Sequence, residues 1–272
     1  KSAQVIRAEG EFVLKNGILD TRDMKAVNVS GNGKVTIKGG IVRSNSAAAI
    51  DVYNEGSVTV EGGLVETTST VGNAIRLKDN AVGIVKGGTV QGPEGTKAYA
   101  TIDISSSRGS ARLEMEGGAI LSRSTKDTTS AISVGSSKAE CPLKMTGGRI
   151  EAVQTAISAY RNVPVVIEGG EIKSEAYAFD TYSLKITGEN VKVTAGKAVF
   201  HTDVNMEGFD NQISAGTFTA GAFVEKEEGT GEHFKAALTG GTYTGGIDKE
   251  ELDNSGYVAE NYEVQPVEGK DD

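Results

Sequence analysis

The stretches VTIKGGIVRS (35–44), VTVEGGLVET (58–67) and GIVKGGTVQG (83–92) decide the fold. Each alternates apolar and polar residues, reaches a Gly-Gly pair, and resumes with a short run that has an apolar residue at its second position. The figure returns as LEMEGGAILS (113–122), LKMTGGRIEA (143–152), VVIEGGEIKS (165–174) and AALTGGTYTG (236–245). Degenerate copies, FVLKNG (12–17), LKITGE (184–189) and ISAGTF (213–218), fill the gaps. The last position of each Gly pair, or its equivalent, falls at 17, 40, 63, 88, 118, 148, 170, 189, 216 and 241. These positions mark ten units, and a fixed period of this size is the signature of a solenoid.

Each unit holds three strand patterns. The first alternates with period two, as in Val35-Thr36-Ile37-Lys38. The second follows the glycines with one inward apolar residue (Val42, Val65, Val90, Ile120, Ile150, Ile172, Val191, Phe218, Tyr243) and, two positions on, a small residue such as Ser44 or Ala152. The third centres on an Ala-Ile-like pair: AVNVS (26–30), AIDVY (49–53), AIRLK (74–78), TIDIS (101–105), AISVG (131–135), AISAY (156–160), AFDTY (178–182) and VFHTD (199–203). Three strands per unit, with turns too short for a helix, predict an all-β, single-stranded parallel β-helix of about ten coils. Right-handedness follows from crossover chirality. Like residues then stack about 4.8 Å apart, giving a rod roughly 50 Å long. The Gly pair makes the corner, where one position needs φ > 0 and stacked backbones exclude a Cβ. The column Lys38, Glu61, Lys86, Glu116 alternates in sign and helps set the register.

The composition agrees. Glycine is abundant (36 of 272) and proline scarce (4), while 38% hydrophobic residues suffice for a core. Against 37 acidic residues stand 28 Lys and Arg, and the net charge of −9 argues against nucleic acid as partner. No apolar run is long enough to span a membrane, and the start Lys1-Ser2-Ala3 carries no signal-peptide core. Cys141 is alone, and His201 and His233 are the sole histidines, so neither disulfide nor Cys/His metal centre is expected. The division expected is residues 1–246 as β-helix and 247–272 as C-terminal cap and acidic tail. Within the cap, Asp248 and Glu251 have capping-box spacing for one short helix ending before Gly256. A charged insertion at 225–233 precedes the last rung, and YVAENYEV (257–264) is read as a closing strand.

The outward column of the third strand reads Asn28, Asp51, Arg76, Asp103, Ser133, Ser158, Asp180, His201. Ser158, Asp180 and His201 are triad residue types in the wrong order, because Asp would separate nucleophile from base. Asp51 and Asp103 sit two rungs apart with Arg76 between them, an arrangement expected to hold both ionised as a salt-bridge ladder rather than as an acid/base pair. The two 30-residue steps place extra residues (92–99 and 122–130 before the third strand, 105–112 and 135–142 after it) where they can wall a groove. The candidate ligand residues are Asp103, Ser105, Ser133, Ser158 and Tyr160, with Arg108 or Lys126 for an acidic ligand. Outward Tyr53, Tyr160 and Tyr182 are candidates to stack on sugar rings. No catalytic residue, metal or cofactor is assigned.

These Val-x-Ile-x-Gly-Gly-x-Val-x-Ser repeats with interleaved Ala-Ile resemble the Gly-Gly repeat regions of large surface proteins from gut Firmicutes. GGTYTGG (240–246) followed by YVAENYEV (257–264) is similar to the tails that close such regions. The resemblance covers essentially the whole chain. It implies a pectate-lyase-like right-handed β-helix, secretion and cell-surface display, with glycans or host surface proteins as partners. The clustered Asp, Arg/Lys and Gly-His-Gly motifs of the lyases and polygalacturonases of this fold have no match here, so their chemistry is not carried over. The expected function is that of a monomeric, non-catalytic structural or adhesion module with weak glycan binding. The alternative is a polysaccharide-active enzyme, lyase or glycoside hydrolase, working in the side groove.

Overall fold

A computed structural model of the chain describes residues 4–45, 48–95, 99–106, 109–140, 142–202, 210–226, 234–260 and 263. Twenty-six strands form one continuous wound sheet with every ladder parallel, a right-handed β-helix with three faces. The strand before each glycine corner stacks from Glu11–Leu14 through Lys34–Ile37 to Ala236–Leu238 and makes the first sheet. The strand after the corner stacks from Ile18–Thr21 to Thr242–Gly245 and makes the second. The Ala-Ile strand, from Gln4–Ala8 onward, makes the third. Each face has ten rungs among the described residues, as the repeat predicts.

Two different forces keep the glycines at the corner. At Gly118 φ is +71°, a backbone that side chains with a Cβ avoid. At its neighbour Gly117 the obstacle is steric, since an added Cβ would lie 2.4 Å from the Lys86 carbonyl oxygen of the coil below. At 39/40, 62/63, 87/88, 147/148 and 169/170 the first glycine likewise meets only the steric obstacle, and the second has a positive φ and, like Gly118, would also bring a Cβ within 3 Å of the coil below.

Inside, identical or similar residues stack. The second sheet sends Leu19, Val42, Val65, Val90, Ile120, Ile150, Ile172, Val193, Phe218 and Tyr243 into the core in unbroken register. One sequence expectation is corrected here. Val193, not Val191, follows Ile172, because Glu189 and Asn190 lengthen the corner and Val191 pairs with Gly170. Towards the C-terminus the core turns aromatic. Phe200 packs against Phe179, Phe223 and Phe234 with ring centroids 5.6, 5.4 and 5.1 Å apart.

The ends differ. At the C-terminal end the helix Lys249–Ser255 covers the last coils. Asp248 caps it by accepting the Glu251 N–H at 2.6 Å, and Gly256 closes it in the left-handed region. Leu252 is buried, and the Glu251 carboxylate accepts the Phe223 N–H at 2.9 Å. In the described part of the expected closing strand, Val258 forms a parallel bridge with Leu238. Residues 261, 262 and 264–272 lie outside the described set, as do 227–233 of the expected charged insertion, whose Glu225 and Lys226 extend the strand Thr217–Lys226. At the N-terminal end Ile6, Phe12, Leu14 and Leu19 are only partly covered, although their counterparts one coil later are buried.

Charged columns tie neighbouring coils outside. Lys38 meets Glu61 at 3.3 Å and Lys86 meets Glu116 at 3.5 Å, the alternation read from the sequence. These exposed pairs contribute at most about 1 kcal/mol each.

Candidate functional site

The third sheet carries one polar column through all its rungs. Asn28, Asp51, Arg76, Asp103, Ser133, Ser158 and Asp180 stand side by side in register, and Phe179 opposite Phe200 continues the column to His201, which pairs with Glu225. The pleat requires this, because Ile50, Ile75, Ile102, Ile132 and Ile157 one residue earlier all point into the core.

Asp51 is the most enclosed member, with no exposed surface. Arg76 donates to its two carboxylate oxygens, through Nε at 3.0 Å and through Nη2. Lys25 Nζ lies 2.5 Å from Oδ2, and the Tyr53 hydroxyl donates to the same oxygen. Lys25 also donates to the Tyr53 hydroxyl at 2.6 Å. Burial pushes the Asp51 carboxyl up, and the hydrogen bonds from Arg76, Lys25 and Tyr53 more than reverse this, leaving it below the usual carboxylate range. Asp51 is therefore an ionised structural anion that no substrate can touch.

Asp103 behaves in the opposite way. Burial pushes its carboxyl up, opposed by Arg76 and Lys78 and reinforced by the charge of Asp51. The expected salt-bridge ladder forms on one side of Arg76 only. Arg76 is turned towards Asp51, and Asp103 makes no hydrogen bond or ion pair among the described residues.

Of the candidate ligand residues, Asp103, Ser133 and Ser158 occupy consecutive rungs. Ser158 donates to Asp180 at a long 3.5 Å. Ser105 is exposed and pairs with Ser136 across a bulge. Tyr160 is 55% exposed beside the column. Lys126 is exposed, its Nζ 5.9 Å from the ring centroid of Tyr99. Arg108 lies outside the described residues. Tyr182 does not face outward, being buried in the core, and Tyr53 is occupied with Asp51, Lys25 and Arg76. The expected loop 92–99 is partly sheet, since Thr89–Gly95 continues alongside Ala119–Ser124 and Arg123 bonds Glu94 at 3.0 Å.

A second polar group was not foreseen. Tyr177 stacks on His201 (centroids 4.2 Å apart), donates to Glu225 at 2.6 Å and accepts from Lys197 at 3.2 Å. Its strand neighbours Ala178 and Phe179, the Ala-Ile-like pair of this rung, are fully buried. The register that brings Tyr177, Ala198 and Ala222 onto adjacent rungs is visible only once the lengthened corner at 189–190 is known.

Among the described residues no cluster of three metal-ligating side chains occurs, and no helix is long and apolar enough to cross a membrane. The fold and this polar face define a parallel β-helix with a charged, largely self-paired side. No protein family, curated protein or solved structure matches the chain.

Proposed function

We propose that the chain is a non-catalytic structural and adhesion module, displayed outside the cell as a monomeric rod that touches glycans or surface proteins weakly along its third face. One observation carries the reading: Asp51 is sealed from solvent and held by Arg76, Lys25 and Tyr53, so it cannot serve with Asp103, two rungs away, as an accessible pair of carboxyls for acid/base work. Likeness of the repeats to Gly-Gly regions of surface proteins supports the placement outside the cell. A shallow polar face binds weakly per copy and gains from display in many copies.

The alternative, a polysaccharide lyase or hydrolase, draws on the raised carboxyl of Asp103, the property a general acid needs. Incubation with pectin, alginate, xylan and glycosaminoglycans distinguishes the two. The adhesion reading expects neither new reducing ends nor unsaturated products. Turnover that disappears in Asp103→Ala would establish the enzyme instead.

A further inference from the structure

We infer that Arg76, Lys78 and Asp103, on two adjoining rungs of the third sheet, form a site for an acidic polysaccharide. The anionic substituent would sit on Lys78 and Arg76, and a sugar hydroxyl would donate to Asp103. This deepens the glycan-binding reading above and rests on it.

Charge is the first argument. On a chain of net charge −9, three successive rungs of this face gather three cations, Lys25, Arg76 and Lys78. These rungs and the next hold two carboxyls. Asp51 is buried and fully committed to Lys25, Arg76 and Tyr53. Asp103 is drawn towards its neutral form by burial. Three cations against these two carboxyls leave one positive charge in excess even with Asp103 ionised. Asp79, at the next turn, accepts the Asn54 N–H at 3.2 Å.

Unused bonding capacity is the second. Arg76 directs Nε and Nη2 to Asp51 and Tyr53, which leaves Nη1 without a protein acceptor among the described residues. Among the described residues Lys78 makes no hydrogen bond or ion pair, and its Nζ lies 5.8 Å from the centroid of the Tyr53 ring. Asp103 is the register partner of Arg76, yet the two do not pair. A carboxyl and two cationic donors therefore stand on adjoining rungs, about 4.8 Å apart, all partly exposed and none satisfied by another. A bound group that accepts from the cations and donates to the carboxyl completes all three. A sugar ring carrying both a hydroxyl and a carboxylate or sulfate has that pair of functions at that scale. A simple anion would leave Asp103 unpartnered, and a neutral glycan would leave the cations so.

The test uses the full chain with dextran, carboxymethyl dextran and dextran sulfate of matched length, read by calorimetry. Either charged polymer should bind and dextran should not, and the preferred one identifies carboxylate or sulfate as the anion. Lys78→Glu should weaken binding at least tenfold. Lys185→Glu, the same charge change on an exposed position of the first sheet, should alter it less than twofold. Asp103→Ala should also weaken it; strengthening would show that the carboxyl merely repels the anion and would overturn its assigned role. Equal losses in the two lysine variants would reduce the effect to bulk charge and overturn the site. Failure of both polyanions while neutral glycans bind would overturn the acidic inference alone. Absence of any glycan binding on a broad array would overturn the reading beneath it. Circular dichroism of each variant separates lost binding from lost fold.

Discussion

Arg76 closes over Asp51 from the next rung, meeting both carboxylate oxygens of a residue that has no exposed surface. A buried charge left without its partners is costly, whereas the pair itself adds little over an apolar substitute. The weight of this contact therefore appears when it is broken from one side. Asp51→Asn is expected to destabilise the rod by about 3–5 kcal/mol, the usual cost of breaking such a pair. Chemical denaturation at neutral pH checks this.

Acid should erase that difference. The folded-state carboxyl of Asp51 lies below its unfolded value, so its contribution is present above about pH 4 and is lost as pH falls through the lower, folded value. The gap between the parent chain and Asp51→Asn should narrow below about pH 4. A constant gap down to the acid transition would contradict the ionised assignment.

Asp103 should respond with the opposite sign. Its folded carboxyl is raised by burial, so ionisation at neutral pH works against the fold and protonation favours it. Asp103→Asn is expected to leave stability unchanged within about 0.5 kcal/mol, or to increase it. A loss comparable to that of Asp51→Asn would reveal a bonded role for this carboxyl.

Glycines of the repeat should fall into distinct classes. Gly117→Ala meets a backbone oxygen at 2.4 Å and Gly118→Ala is forced to a φ of +71°, so each should cost well over 1 kcal/mol. At Gly95, with φ +106° and nothing within 4 Å, the conformational penalty acts alone. Gly10, with neither constraint, should accept alanine without loss. Thermal melts of the four variants test the ordering.

Capping can be probed locally. Leu252→Ala removes a buried side chain from the helix that covers the last coils and should cost about 2–5 kcal/mol. Hydrogen exchange should quicken first in Thr217–Lys226 and Thr242–Gly245, and coils near Val35 should keep their protection. Uniform acceleration would indicate that the rod unfolds as one unit.

The coil count, the glycine corner and the polar column were legible because each is written once per repeat, and stacking turns a period into a contact. Asp51 and Asp103 show where legibility ends. Both are aspartates in the same column, two rungs apart, and the sequence predicts one fate for both. The direction in which Arg76 turns separates them, and Lys25 and Tyr53 decide that direction from neighbouring positions of the sheet. Val191 misled for another reason. A two-residue lengthening of one corner shifts the register without disturbing the alternation, so Val191 and Val193 read alike until the pairing with Gly170 is seen. Tyr182 failed similarly, since alternation was extended past the point where the strand Tyr177–Ile186 bends through a corner.

Because every ladder joins one coil to the next, the backbone hydrogen bonds run along the rod, with the strands lying across it. Tension between the two ends would load these bonds coil after coil instead of all together. The coil of Ile6, Phe12, Leu14 and Leu19 is only partly buried and has less apolar packing to lose than the coils after it, whereas Leu252 of the helix is buried against the last described coils. Each coil that peels away frees a length of chain extending by up to about 3.5 Å per residue, while the coils behind it stay wound. Under pull, such a winding is expected to lengthen in steps, one coil at a time, before the whole gives way.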